Sequence, residues 1–373
     1  MPFDLSDLNI CIAVTGLKTG DNPQPGVPVI RCLRKAGFRG KIIGLVYDAL
    51  ESGIYVDSLA DEIYQIPYPS AGAEAFLNRL DTILSRSAID VIIPTLDSEI
   101  ITYIRLNKEL EQRGIHTFLP DEEHYLLRDK TRLASYFPDK GIKVPRTILI
   151  NDSSQIMSLD QSMSWPVFIK GRYYEAFKAY TVAEALHYYQ DICNRWGMPV
   201  IAQQVVSGDE FNVVIIGDGK GGMIGMVPQR KLVITDKGKG FGGVVVKNAG
   251  LDKFAADLMR ILRWRGACEL EIIKGMDNAF YLIEINPRFP AWVRLAEGAG
   301  QNQPAALVML ALGRKVDPLP PYRPGTLFIR HAEDVISDIQ VMGGIAALGE
   351  LINRTSEHCE TSFPASGDPD IGI

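Results

Sequence analysis

The stretch YLIEINPRFPAWVR, residues 281–294, sets Glu284, Asn286 and Arg288 at the end of an apolar run. Tyr281, Ile283 and Ile285 alternate with Leu282, Glu284 and Asn286, so at the two-residue period of a strand Glu284 and Asn286 share a face. Just upstream, ACELEIIK at 267–274 is a second strand candidate, and GMDN at 275–278 is a turn cluster that folds the two into a hairpin. Pairing Lys274 with Ala279 puts Glu269 opposite Glu284 and Glu271 opposite Leu282, all on the face that carries Asn286. Like charges placed opposite each other in a sheet cost a few tenths to about 1 kcal/mol. A positive partner is therefore expected. A hard divalent cation fits, because Mg²⁺ takes oxygen ligands and holds one or two protein carboxylates, leaving the rest of its shell to water and phosphate. Arg288 then presents its planar fork to the same phosphates. The other reading is a solvated acidic hairpin whose arginine pairs with a glutamate, and spacing alone leaves both open.

At 373 residues the chain exceeds one ordinary core and suits two or three domains. Its net charge of −6 argues against a phosphate-backbone partner, which needs clustered lysine and arginine, so no nucleic acid is expected. Cys11, Cys32, Cys193, Cys268 and Cys359 are scattered and form no CxxC pair, which points to small buried hydrophobes in a reducing compartment. The opening MPFDLSDLN has acids where a signal peptide needs positive charge, and the longest apolar run, 305–312, is too short to span a bilayer. The expectation is a soluble, cytoplasmic protein with no membrane partner.

NICIAV at 9–14 reads as a buried strand, followed by a glycine- and proline-rich loop and a helix over 27–36. KIIGLVY at 41–47 and DVIIP at 90–94 add strands, with a helical pattern over 73–85 between them, which suggests a parallel sheet covered by helices. Asp48 stands where a Rossmann fold keeps its ribose acid, but the GxGxxG fingerprint is absent. Asp97 and Glu99 lie beyond the DVIIP strand, where ligands bind in open sheets; exposed loop acids are the competing reading. Residues 121–137 favour helix, and a domain boundary falls near Pro120. WPVFIKG at 165–171 is a strand ending in Lys170, which by position alone is a solvated edge lysine. PVIAQQVV at 199–206 is another, leading through Ser207, Gly208, Asp209 and Glu210 into a strand over 211–216. Glycines 238, 240, 242 and 243 interleave with Lys237 and Lys239, a composition suited either to an anion-binding lid or to a plain hairpin tip. Helical patterns cover 252–262, 305–312 and 334–342, and the last residues, TSFPASGDPDIGI, read as loosely held.

The order of these elements resembles the ATP-grasp superfamily, which includes D-alanine–D-alanine ligase, biotin carboxylase and carbamoyl phosphate synthetase. The match runs over about 120–313, and its most specific piece is GACELEII followed by YLIEINPR. The resemblance implies an α/β plus α+β chain. An N-terminal Rossmann-like pre-ATP-grasp domain (1–120) precedes an ATP-grasp domain (121–330) whose lid subdomain covers about 130–206, and a C-terminal tail follows (331–373). It implies Glu271, Glu284 and Asn286 as metal ligands, with Glu269 an adjacent acid of unassigned role. Arg288 and Lys170 become the catalytic cations, and Lys130 and Lys170 hold ATP phosphates. Adenosine falls to the Gln203 side chain, the Gln204 and Val206 backbone and the Glu210 carboxylate, which suits paired ribose hydroxyls. Two positions depart from the pattern. GRYYEAFKAY, after Lys170, has Gly171 alone where a glycine-rich loop is usual, so Arg172 or Lys178 is the candidate substitute there, and Ala291 stands where carbamoyl phosphate synthetases keep an arginine.

The implied activity is an ADP-forming carboxylate–amine ligase using ATP with Mg²⁺, or Mn²⁺ in its place. Its substrates are small-molecule or peptide carboxylates and amines, and a homodimer is compatible with it. Trp292 and Arg294 are expected near the acceptor, Arg294 either pairing with its carboxylate or held in a surface ion pair. The rivals are a carboxyphosphate-using synthetase or phosphotransferase of the same fold, and a nucleotide-binding regulator without turnover.

Overall fold

The computed structural model describes residues 4–20, 22–172, 175–234 and 240–352. Strands β1 (Cys11–Thr15), β2 (Lys41–Val46), β3 (Glu62–Gln65) and β4 (Val91–Ile93) form a parallel sheet in the order β3-β2-β1-β4. β1 is buried throughout, and apolar up to Thr15, because both of its faces are covered. Ile12 and Val14 join a core with Val29, Ile30 and Leu33 of α1 (Gly26–Lys35), while Cys11 and Ala13 join another with Phe76, Leu80 and Ile83 of α2 (Ala73–Leu84). α3 (Asp97–Arg105) starts beyond the carboxyl end of β4.

A second, antiparallel sheet comprises β5 (Thr147–Ile150), β6 (Val167–Gly171), β7 (Ala176–Ala179) and β8 (Val200–Gln204) in the order β5-β8-β6-β7. The third holds β9 (Gly208–Asp218), β10 (Met223–Ile234), β11 (Gly240–Val245), β12 (Arg265–Gly275), β13 (Phe280–Asn286) and β14 (Leu327–Ile329), ordered β13-β12-β9-β10-β11-β14. One face of this sheet packs Val213, Ile215, Leu270, Ile272, Leu282 and Ile285 against the helix Ala249–Leu262. On the other face Val214, Ile216 and Val227 share the core of α1. The polar continuation of that second face carries Asn212, Glu269, Glu271, Glu284 and Asn286.

Several elements differ from the sequence reading. Ser207 aside, the expected turn before 211 is strand, because Gly208 and Asp209 pair with Gly275 and Lys274 of β12. The helix-favouring stretch 121–137 breaks into Glu122–Tyr125 and Lys130–Tyr136, since the Asp129 side chain caps the second by accepting from the Thr131 N–H. The helical pattern over 334–342 is realised later, as Ile339–Leu348, capped by Asp338. The chain after it also returns to the first sheet: β15 (Glu350–Leu351) pairs antiparallel with β3, Glu350 opposite Tyr64 and Leu351 opposite Ile63. The arginines of α2's flank hold this return, Arg79 Nη2 donating to the Gly349 carbonyl at 2.6 Å and Arg86 pairing with Glu350. The end of the chain from 353, with Cys359, lies outside the described residues, as do 235–239 of the glycine-rich stretch. Among the described cysteines Cys11, Cys32 and Cys268 are buried and all four are free.

Candidate functional site

A cleft of about 470 Å³ opens between the polar end of the third sheet, the loop after β1 and the start of α3. Glu271, Glu284, Asn286, Arg288, Asp97 and Trp292 line it. The hairpin register differs from the expected one. Lys274 pairs with Phe280, Ile272 with Leu282, and then a bulge at Ile283 sets Glu271 opposite Glu284 and Glu269 opposite Asn286. The extra residue turns Leu282 and Ile285 into the same core, both fully buried, while Glu284 and Asn286 stay on the cleft face. Two glutamates therefore face each other directly across the ladder.

Burial first, and then the Glu271 and Asp97 carboxylates, push the Glu284 carboxyl up against the pull of Lys130. The Lys130 ammonium donates to Glu284 Oε1 at 3.3 Å. Among the described residues no three His, Cys, Asp or Glu side chains gather as a metal-binding group. Two glutamates and an amide are a poor set for zinc but fit Mg²⁺, which needs few protein oxygens.

Arg288 sits just past β13, its side chain only 10% exposed, with Nε donating to Asp97 Oδ2 at 3.1 Å and Nη1 to Glu269 Oε2 at 3.5 Å. Burial opposes its charge, but Asp97 and Glu269 outweigh it and raise its pKa. Asp97 is thus a cleft residue tied to Arg288 and not a solvated loop acid. Glu99 is neither solvated nor ligand-facing. It is 1% exposed and ties the strand ends together, accepting from the Thr15 and Tyr47 hydroxyls and from the Thr95 and Leu96 N–H groups at 2.8 and 2.9 Å.

Lys130 links the cleft to a second buried group. Lys170, 8% exposed and so not a solvated edge lysine, donates to Gln203 Oε1 at 2.8 Å, and Gln203 Nε2 donates to Thr147 Oγ1 at 3.0 Å. Burial, then the charge of Lys130, lowers the Lys170 pKa to about 8. The Gln203 oxygen keeps one lone pair for a further donor. The Gln204 backbone N–H already donates to the Arg146 carbonyl at 2.8 Å, so the backbone there has no N–H left for a ring edge. Val206 lies half-buried in the link between β8 and β9, and Glu210 is exposed on β9; neither lines the cleft.

Arg172 does not stand ready as a replacement for the missing loop glycines, because its guanidinium is paired with the buried Asp129 at 2.5 Å. Lys178, on β7, lies over the Tyr180 ring. Arg294 opens the helix Arg294–Gly298, is exposed and does not line the cleft. Arg330 does, a residue the sequence reading passed over. Its Nε donates to the Gly240 carbonyl at 3.1 Å, the Phe328 ring lies 5.7 Å away, burial lowers its pKa, and among the described residues it has no carboxylate partner. The signal was an arginine closing the run LFIR at 327–330. Asn212, the lone polar residue in FNVVII, was a similar one.

No family model matches the chain, and no characterised protein matches it by sequence. Solved structures do match. N5-carboxyaminoimidazole synthetase from Staphylococcus aureus superposes with a TM-score of 0.64 at 16% identity, over 85% of this chain and 81% of that one. The biotin carboxylase domain dimer of Hydrogenobacter thermophilus 2-oxoglutarate carboxylase, in complex with MgADP, ADP and bicarbonate, gives 0.64 at 15%, over 82% and 70%. L-amino acid ligase from Bacillus licheniformis gives 0.59 at 13%, over 82% and 74%. These are ATP-grasp enzymes, and the chain has the ATP-grasp fold. No helix among the described residues is long and apolar enough to cross a membrane.

Proposed function

We propose that the chain is an ATP-dependent, ADP-forming carboxylate–amine ligase. One observation carries the reading: the opposed Glu271–Glu284 pair, Asn286 and the Arg288 fork line a single cleft, and the buried Lys130 bonds to Glu284 beside it. A substrate carboxylate oxygen attacks the γ-phosphorus of ATP, the bond to ADP breaks, and an acyl phosphate forms. An amine then attacks the acyl carbon, losing a proton as the C–O bond breaks and phosphate leaves. Side chains have little covalent work in phosphoryl transfer, so their part is alignment and charge. Lys130, Lys170 and Arg288 hold the phosphates, Glu271, Glu284 and Asn286 hold Mg²⁺, and Gln203, the Gln204 carbonyl, Val206 and Glu210 receive adenosine. Mg²⁺, when bound, offsets charge on the transferring phosphoryl group. Arg330, half-buried and without a carboxylate partner among the described residues, is the cation that takes the substrate's acid group. In this reading residues 1–120 form the Rossmann-like preceding domain, the sheet β5–β8 is the lid, and 121–330 is the ATP-grasp domain.

Screening amino acids and short peptides for ADP release tests the proposal. Chromatography of the spent nucleotide is expected to show ADP with free phosphate. AMP would mean attack at the α-phosphate and would sink the assignment.

Lys170 gives the reading a pH signature. Charged below about pH 8 and neutral above it, this lysine favours bound phosphate only on the acid side. ATP affinity should hold near pH 7 and fall roughly tenfold by about pH 9.5, the scale of one charge-assisted hydrogen bond. Gln203→Glu places a carboxylate beside the lysine and moves the fall to higher pH. Calorimetric titration across this range checks both, and a flat profile removes Lys170 from the phosphate site.

A further inference from the structure

We infer that Glu269 is a positioning residue whose carboxylate orients Asn286, Arg288 and Trp292 toward the cleft and takes no cation itself. The inference rests on the ligase reading for the identity of the cation site.

Glu269 is 6% exposed, yet both of its oxygens are engaged twice. Oε1 accepts from Asn212 Nδ2 at 2.9 Å and Trp292 Nε1 at 2.7 Å. Oε2 accepts from Asn286 Nδ2 at 3.4 Å and Arg288 Nη1 at 3.5 Å. A carboxylate has about four lone-pair directions, and here donors take all of them. Glu284, by contrast, receives only Lys130, and Glu271 receives no hydrogen bond among the described residues. The two acids that face each other are open to a cation, and the third is closed to it.

Each bond to Glu269 also settles a neighbour. A negative partner draws the amide nitrogen of Asn286, so the oxygen is the end left for a cation. Arg288, held by Glu269 through Nη1 and by Asp97 through Nε, keeps Nη2 for an anionic ligand. Trp292, which lines the cleft, is anchored by its only polar atom. Residues from β9, β12, β13 and the turn beyond thus meet on one carboxylate.

The test uses the full chain with Mn²⁺ as the probe, titrated by electron paramagnetic resonance in the presence of ADP. Glu269→Gln keeps the shape but turns an amide nitrogen toward donors. Mn²⁺ binding is expected to weaken at least about tenfold, the usual scale for loss of a group that orients metal ligands. Metal-free ADP binding, measured by calorimetry, should weaken by a smaller factor than Mn²⁺ binding, since of the proposed nucleotide contacts only that of Arg288 leans on Glu269. Adding Asn286→Asp to Glu269→Gln exchanges acid and amide across the strand pair, so that the introduced amide donates to the introduced carboxylate. This pair should recover Mn²⁺ affinity to within about threefold of wild type. Unchanged Mn²⁺ binding in Glu269→Gln overturns the inference, and so does a loss that Asn286→Asp does not restore, which would make Glu269 a direct ligand. If Glu269→Gln does not fold, the double variant with Asn286→Asp is tested alone: Mn²⁺ affinity within about threefold of wild type supports the positioning role, and a larger loss overturns it. A wild-type chain that binds neither ADP nor Mn²⁺ defeats the ligase reading, an outcome distinct from any of these.

Discussion

Glu284→Gln is expected to lower Mg²⁺-dependent ADP release by at least about two orders of magnitude, because losing several kcal/mol of charge compensation at the phosphoryl group is a rate loss of that size. The substitution keeps shape and hydrogen bonding and removes only the charge. Ligand-free stability should hold or rise. The native environment pushes this carboxyl up, so its ionised form opposes folding above the unfolded pKa, and the amide removes that opposition. Melting temperature therefore cannot decide between a cation site and an acidic hairpin face. The deciding measurement is ADP release against Mg²⁺ concentration for both proteins. Wild-type turnover with unchanged metal dependence in the variant would refute the assignment of Glu284 and most of the case built on YLIEINPR.

Arg288→Met should have the largest effect on stability, a loss of about 3–5 kcal/mol at neutral pH, the range for breaking a buried ion pair from one side. Asp97 and Glu269 would face an apolar side chain, and Asp97 Oδ1 has no hydrogen-bond partner even with the arginine present. Urea denaturation of wild type and variant at pH 7.5 measures this. A deficit under about 1 kcal/mol means that the pairs are solvent-screened.

The sequence identified the two strands and their acidic face because both carry local signals, alternation within each strand and a turn cluster between them. The bulge at Ile283 left no such mark. Whether Leu282 or Ile283 enters the core depends on the helix Ala249–Leu262 packed beneath, and period-two counting cannot see it. The same limit applies to Asp97, Glu99 and Glu269, whose partners lie far along the chain: an acid beyond a strand end looks alike whether it faces solvent, an arginine or four donors. The position of Lys170 at a strand end reads as solvated for a related reason, whereas β6 is an interior strand of its sheet and carries the lysine under cover. The order of secondary elements, set mostly by short apolar runs and glycine or proline breaks, was the most legible layer. Arg330 belonged to the least legible, a residue whose neighbours are assembled only by the third sheet.

The pairing of β15 with β3 bears on how the chain is made. Gly349 meets Arg79 from 270 residues further along, so a ribosome-bound nascent chain presents β3 with its outer N–H and C=O groups unmatched until nearly all of the described protein has emerged. An unmatched strand edge is a template for pairing with other chains. The first sheet is drawn from the start of the described chain and its edge is closed from the end, so any chain that stops short of Gly349 leaves that edge open.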